Sequence, residues 1–201
     1  MKTIAVTQRV DLVDKHAERR DCLDQRWTLF LSCCKLLPIL IPNNVSMAQT
    51  ILKHLKIDGL LLTNGNSLSH LGGNAPERDA TENMLLKYAI ENGLPVFGVC
   101  RGMQLIQHYF GAKLTPVMGH ICETQSIIFQ NKDILVNSYH NFGTNLAVSE
   151  LETIAHAKDG VIKAVKHKNY PISAIMWHPE RFFQFRTEDI NMFSQHFGTY
   201  D

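Results

Sequence analysis

The chain has 201 residues, of which 45% are hydrophobic and 19% are charged, and its formal net charge is +1. This composition predicts a well-buried globular protein and excludes a disordered chain. No basic run or stripe occurs, so the sequence gives no electrostatic basis for binding nucleic acid or a membrane surface. The length indicates one domain over residues 1–201.

The cysteines and the first residues predict a cytoplasmic location. The five cysteines form no C-x-x-C pair, and an odd number with no secretion signal is typical of a reducing compartment. Residues 1–6 are too short for the apolar part of a signal peptide. The most apolar stretch, residues 27–42, contains Lys35, Pro38 and Pro42 and is too short for a bilayer span. The ten histidines show no metal-binding spacing, so we expect no metal and no other cofactor.

The first half of the chain alternates between short apolar strands and helices. The predicted strands are residues 3–7, 37–41, 59–62 and 96–99, and the predicted helices are residues 15–34, 46–55, 77–92 and 103–110. The second half is richer in strands, at residues 126–129, 134–136, 161–167 and 172–177, and ends in a helix at 187–197. This order predicts an α/β fold with a doubly wound, flavodoxin-like, mostly parallel sheet and helices on both faces.

Cys100 lies at the predicted turn from a strand into a helix, with Gly98 and Gly102 on either side. This pattern is typical of a nucleophile elbow with sulfur in place of the serine oxygen. A buried core cysteine is the alternative. Ligands of such sheets bind beyond the carboxyl ends of the strands. Four polar stretches follow strand ends, at residues 7–9, 63–66, 98–102 and 177–180, which favours a catalytic cysteine.

A catalytic thiol needs a base, a group that orients the base, and donors for the oxyanion. His178 and Glu180 follow the last predicted strand and are the candidates for the base and the orienting group. The N-terminus of the predicted helix favours the thiolate of Cys100. The backbone amides of Arg101 and Gly65 are the candidate oxyanion donors. Taken singly, a surface histidine and an ordinary Asn-Gly turn are the alternatives.

Together these segments resemble the class-I glutamine amidotransferase superfamily, and more narrowly its free-standing γ-glutamyl hydrolases of the peptidase C26 type. The resemblance covers nearly the whole chain and rests on residues 7–9, 63–66, 78–82, 98–104, 136–140 and 177–180. It implies a catalytic Cys100, His178 and Glu180, with Gly65 and Arg101 at the oxyanion.

The resemblance also implies roles in substrate binding. Gln104 would contact the γ-glutamyl group, and His140 would face the part of the substrate beyond the scissile amide. Arg9 and Asn64 are further candidates for substrate contact. Asn64 stands where the family usually has the first of two glycines, and we expect the loop to keep its geometry because asparagine tolerates positive φ.

The implied reaction is hydrolysis of a γ-glutamyl amide with release of glutamate. A hydrolase that works alone and a glutaminase subunit of a two-chain amidotransferase both remain open, as does a homodimer. A binding protein with an inactive site on the same fold is the non-enzyme alternative. The intact Cys100, His178 and Glu180 argue against it.

The narrowest resemblance is to the γ-glutamyl-CDP-amidate hydrolases of bacterial surface-polysaccharide (capsule) pathways. It implies a phosphate-bearing amine half on the substrate. Basic groups that suit phosphate are Arg9, Arg101, Arg181 and His140. The alternatives are that these arginines pair with Asp79, Glu82 or Glu180, and that the substrate is a γ-glutamyl amine such as γ-glutamyl-aminobutyrate.

Overall fold

A nine-stranded sheet runs through the molecule, and the computed structural model describes residues 1–199. The strands are β1 (Lys2–Val6), β2 (Arg9–Val13), β3 (Glu18–Cys22), β4 (Leu36–Leu40), β5 (Gly59–Leu62), β6 (Val96–Val99), β7 (Thr115–Pro116), β8 (Ile121–Phe129), β9 (Lys132–Tyr139), β10 (Phe142–Gly143), β11 (Leu151–Ala157), β12 (Ile162–His167) and β13 (Ile172–Ile175). The helices are α1 (Gln25–Cys33), α2 (Val45–His54), α3 (Pro76–Glu91), α4 (Arg101–Tyr109) and α5 (Thr187–Phe197), with 3₁₀ turns at Asp14–His16, Ser69–Leu71 and Pro179–Arg181.

The sheet has a parallel and an antiparallel half. Its order is β4-β1-β5-β6-β13-β12-β11-β8-β9. The strands from β4 to β13 pair in parallel, and those from β13 to β9 pair antiparallel. Counted along the chain, the parallel strands have the 2-1-3-4-5 order of flavodoxin-like folds. The predicted α/β fold class is therefore confirmed.

Helices cover both faces of the parallel half. Phe97 of β6 packs against Phe193 of α5, with ring centroids 4.2 Å apart. Gly98, the next residue, lies against Ile106 of α4. Since successive residues of a strand point to opposite faces, α5 and α4 lie on opposite sides of the sheet.

Within residues 1–199, no helix is both long and apolar enough to cross a bilayer.

The predicted helix at residues 15–34 is wrong in its first part. Residues 18–22 form β3, which pairs antiparallel with β2, and the helix begins only at Gln25. Charged residues such as Arg19 and Arg20 favour helix locally, but here they lie in a strand, where Arg20 pairs with Glu18 and Arg19 reaches another element. Arg20 faces Asp11 across the hairpin, and Arg19 donates hydrogen bonds to Glu77 of α3 and to the Asn74 carbonyl.

The pairing of β6 with β13 positions the predicted site. Val99 lies opposite Ile175, and the Cys100 amide donates to the Ile175 carbonyl oxygen at 2.8 Å. The two strands run in the same direction, so the residues that follow them emerge at the same edge of the sheet. Cys100 after β6 and His178 after β13 therefore meet there.

Candidate active site

Cys100 has a strained backbone, with φ 53° and ψ −103°. A side chain at positive φ is costly and persists where the surrounding structure enforces it, which is common at catalytic turns. α4 begins at the next residue, so its N-terminus faces the thiol. The sulfur lies 4.0 Å from the Tyr139 carbonyl oxygen. This is the geometry that the elbow pattern predicts.

The two glycines around Cys100 allow the close approach of α4 to the sheet. A Cβ atom at Gly102 would lie 2.1 Å from the Leu62 carbonyl oxygen of β5. A Cβ atom at Gly98 would lie 2.6 Å from Ile106 of α4. Either side chain would push α4 away from the strands and displace the turn that carries the thiol.

The predicted oxyanion donors lie on the two segments that flank the thiol. Gly65 has φ 84°, a conformation that favours glycine, and Arg101 is the first residue of α4. Within residues 1–199, neither backbone N–H has a hydrogen-bond acceptor. Both amides are therefore able to donate to a substrate oxygen.

A buried ionic network holds these two segments together. Arg78 donates to the carbonyl oxygens of Gly65 at 2.6 Å and Thr63 at 2.9 Å, and its Nε lies 2.8 Å from Glu82. Arg101 binds the other oxygen of Glu82 and also Asp79. Burial opposes ionisation of Glu82, but Arg101 and Arg78 hold the pKa of its carboxyl below the usual value. The Arg101 side chain is therefore occupied by carboxylates, as the alternative interpretation of the sequence supposed, and not free for phosphate.

His178 contacts Glu180 and interacts with Cys100. Its Nδ1 lies 2.9 Å from Oε1 of Glu180, and both side chains are buried. Burial lowers the pKa of His178, but the charge and hydrogen bonding of Cys100 and Glu180 outweigh burial and raise it to about 9. A protonated His178 is the state that this pKa favours at neutral pH.

Asn64 does not have a positive φ. In this loop that conformation occurs at the next two residues, Gly65 and Asn66. The Asn64 side chain turns inward. Oδ1 accepts a hydrogen bond from the Trp27 indole at 3.1 Å, and Nδ2 lies 3.0 Å from Oε1 of Glu180. Asn64 thus contacts Glu180, the residue predicted to orient His178.

Gln104 and His140 meet at one backbone oxygen. Nε2 of Gln104 and Nδ1 of His140 each lie 2.9 Å from the Phe142 carbonyl oxygen. The other ring nitrogen of His140 lies 2.6 Å from Nζ of Lys163. Burial and then the charge of Lys163 lower the pKa of His140 to about 3, so the ring is neutral and both of its nitrogens are bonded. His140 therefore supplies no positive charge to a substrate, contrary to the expectation that it is one of the basic groups for phosphate.

Lys163 is a buried ammonium that the sequence did not single out. It is 1% exposed and donates to Ser138 at 3.0 Å as well as to His140. Burial lowers the pKa of Lys163 to about 8, although Asp159, Cys122 and Cys100 act to raise it. A lysine in a strand usually lies on the solvent-exposed face. The sequence therefore gave no indication that Lys163 is buried.

Two arginines remain at the surface of the site. Arg181 has a side chain 36% exposed, lies 3.5 Å from Oε1 of Glu180, and stacks 5.0 Å from the ring of Tyr139. That ring in turn packs edge-on against His178 at 5.6 Å. Arg9 is 47% exposed, pairs with Asp11 at 2.9 Å, and lies close to Gly65. Arg181 is thus an accessible cation beside Glu180 and Tyr139.

Asn137 was also missed as a site residue. Its side chain donates to the His178 carbonyl oxygen at 2.9 Å and accepts from the His178 amide at 2.7 Å. These two bonds fix the backbone of His178. The segment at residues 136–140, already part of the resemblance, was the available signal. Among residues 1–199, no cluster of three or more metal-ligating side chains occurs.

The chain belongs to the class-I glutamine amidotransferase family, whose sequence profile matches residues 31–197. It is 34% identical over 186 residues to γ-glutamyl-CDP-amidate hydrolase of Campylobacter jejuni, covering 89% of this chain and 90% of that protein. It is 26% identical over 185 residues to γ-glutamyl-γ-aminobutyrate hydrolase of Escherichia coli O157:H7, covering 72% of each chain. The predicted family is confirmed, and these relatives support an amide-hydrolysing enzyme.

A solved structure shows the same fold. A Thermoplasma acidophilum protein, described as one of the subunits of GMP synthase, superposes with a TM-score of 0.73 at 20% identity, covering 100% of this chain and 96% of that one. At this identity the similarity concerns the fold.

Proposed function

We propose that this protein hydrolyses a γ-glutamyl amide with Cys100 as the nucleophile, and that the amine half of its substrate carries phosphate. The observation that carries the proposal is the position of His178, which interacts with Cys100 and bonds to Glu180 at 2.9 Å. A thiol, a base and an orienting carboxylate at one sheet edge are the parts that cysteine-dependent acyl transfer requires.

The reaction follows from these parts in two stages. The Cys100 thiolate attacks the γ-carbonyl carbon, and the amides of Gly65 and Arg101 bind the resulting oxyanion. His178 gives its Nε2 proton to the leaving nitrogen, the C–N bond breaks, and a thioester of glutamate remains on Cys100. His178 then takes a proton from water as the water attacks the thioester. Glutamate leaves, and the thiolate and imidazolium are restored.

A phosphate-bearing amine half is supported by the surface of the site and by one relative. Arg181 presents an accessible guanidinium beside Tyr139 and His178, and a guanidinium binds phosphate through two charge-assisted hydrogen bonds. The relative from Campylobacter jejuni is named for a nucleotide-linked γ-glutamyl substrate. We extend that substrate class to this chain. We also propose that the protein acts in the cytoplasm, in the synthesis of a surface polysaccharide.

The alternative substrate is a γ-glutamyl amine without phosphate. The name of the relative from Escherichia coli, γ-glutamyl-γ-aminobutyrate hydrolase, supports this alternative. The decisive experiment measures kcat/KM of the purified chain for glutamine, γ-glutamyl-aminobutyrate and a γ-glutamyl cytidine diphosphate amidate, at low and high salt. We expect the phosphorylated substrate to be preferred, and salt to weaken that preference.

Matched variants locate the origin of the preference. Arg181→Gln should lower kcat/KM for the phosphorylated substrate about tenfold or more and leave the aminobutyrate conjugate less affected. Arg20→Gln removes a positive charge from the exposed hairpin and serves as the control. Equal cleavage of both conjugates at every salt concentration refutes phosphate recognition, and activity only after adding a synthetase identifies a two-chain glutaminase.

A further inference from the structure

The side chain of Asn64 is built into the hydrogen bonding of the base. Nδ2 lies 3.0 Å from Oε1 of Glu180 and 2.9 Å from Nδ1 of His178. All three side chains are buried, where an unmatched donor or acceptor is expensive. The contact is therefore a constrained feature of the site and not a loose surface contact.

Trp27 fixes the direction of the Asn64 amide. The indole Nε1–H lies 3.1 Å from Oδ1 of Asn64, and an indole nitrogen only donates. Oδ1 must therefore face Trp27, which leaves the amide hydrogens facing Glu180 and His178. Trp27 is fully buried in α1, so the amide has little freedom to turn around.

The Asn64 hydrogens have one suitable acceptor. In the proposed reaction His178 keeps its Nδ1 proton, which points to Oε1 of Glu180, so Nδ1 has no lone pair to accept another donor. Asn64 therefore donates to the same oxygen of Glu180. That oxygen receives two hydrogen bonds, at 2.9 Å from His178 and 3.0 Å from Asn64, and Arg181 lies 3.5 Å away.

We propose that Asn64 is a positioning residue that limits how strongly Glu180 holds the Nδ1 proton of His178. Its donated hydrogen bond shares the negative charge of Glu180, and its partly positive hydrogens lie beside the imidazolium. Both effects keep His178 acidic enough to protonate the leaving nitrogen. The inference rests on the proposed function, in which His178 is the general acid.

Other groups also act on His178 and must stay constant in a test. The titratable and charged groups that face His178 or Glu180 are Cys100, Glu180, Arg181, His140, Tyr139, Asp189 and Arg26, the last through the Glu180 carbonyl oxygen. Substitution at position 64 changes none of them. In a neutral variant such as Asn64→Leu, a change in the titration of His178 would therefore report the loss of the Asn64 hydrogen bond, and Asn64→Asp adds the effect of a new carboxylate.

The test follows the His178 ring by ¹H–¹⁵N NMR over pH, with His178→Gln identifying its signals among the ten histidines. Asn64→Asp keeps an oxygen for Trp27 and replaces the donor by an acceptor. It should raise the pKa of His178 by about one unit. Asn64→Leu removes the donor without adding charge and should raise it by about half a unit.

Asn66→Asp is the matched control, since Asn66 lies in the same loop but bonds to Val10 and Arg78. It should leave the titration of His178 unchanged. An unchanged or lowered titration in either folded Asn64 variant overturns the inference, and so does an equal shift in Asn66→Asp. In a plot of kcat/KM against pH, the decrease at alkaline pH should shift by the same amount as the pKa of His178. Because NMR needs no substrate, absence of amide hydrolysis would refute the proposed function separately from the role of Asn64.

Discussion

Arg78 and Arg101 bind the two carboxylate oxygens of the same residue, Glu82. Arg78 also holds the carbonyl oxygens of Thr63 and Gly65, and Arg101 begins α4 next to the thiol. Glu82 thus connects the loop of Gly65 to Arg101, the two residues whose amides we propose as oxyanion donors. The spacing between the two proposed donors is therefore coupled to this buried carboxylate.

Glu82→Gln should therefore damage both stability and catalysis. Removing the charge leaves two buried guanidinium groups poorly compensated, which typically costs about 3–5 kcal/mol. Displacement of Gly65 relative to Arg101 should lower kcat at least tenfold, on the order seen for misplaced catalytic groups. Urea unfolding and steady-state kinetics measure the two effects.

Glu77→Gln provides the control, because Glu77 pairs with Arg19 at the surface, where the Arg19 and Glu77 side chains are 43% and 32% exposed. Its loss should cost less than about 1 kcal/mol. Similar losses of stability in the two variants would show that the Glu82 network has no special importance.

Cys100→Ser should abolish turnover and preserve the fold. A serine hydroxyl stays protonated beside His178 and is a far weaker nucleophile, so kcat should fall about a thousandfold or more. Circular dichroism and urea unfolding check the fold. Near-normal turnover in this variant would refute a catalytic Cys100.

Iodoacetamide should label Cys100 before the other four cysteines. Burial raises the pKa of Cys34 to about 12 and also raises that of Cys22, which keeps both thiols protonated. Mass mapping after brief exposure identifies the labelled residue. His178→Gln should slow the labelling near neutral pH, because the imidazolium that stabilises the thiolate is lost. Faster labelling of any other cysteine contradicts an activated elbow.

Lys163 should make stability depend on pH in a predictable direction. Its folded-state pKa of about 8 lies below the ordinary value of 10.5, so the unfolded chain binds more protons between these two values. Stability contributed by this residue therefore rises as pH increases from 8 to 10.5, by about 3 kcal/mol at most.

Comparison with Lys163→Met isolates this contribution. In urea unfolding, the wild type should gain free energy of unfolding relative to the variant between about pH 8 and about pH 10.5. A difference that stays constant over this range would mean that Lys163 titrates normally. Lys168→Met, at an exposed position after β12, is the control and should show no such trend.

The fold and the family were predictable because their signals are local. The alternation of strands and helices, and the glycines around Cys100, appear in short windows of sequence. The hairpin of β2 and β3 was missed because it joins two short charged segments, and because Arg19 is stabilised by Glu77, which is distant in sequence. Propensity alone does not report such partners.

The supporting contacts of the site were less predictable. The sequence shows Asn64 only as a loop residue, yet its side chain bonds to Trp27 on one side and Glu180 on the other, both distant in sequence. Lys163 gave no signal because its burial depends on Ser138 and His140 from another part of the chain. The catalytic and oxyanion assignments themselves remain predictions that the proposed variants test.

The pairing of β6 with β13 also has a consequence for folding. The elbow at Cys100 can form early, from β6 and α4, which are adjacent in the chain, but His178 arrives only when β13 docks after β7 to β12. Closing such a long loop makes this a late step in folding. Until that step the thiol of Cys100 lacks its contact with His178, so we expect the reactivity of Cys100 to increase when the molecule is complete.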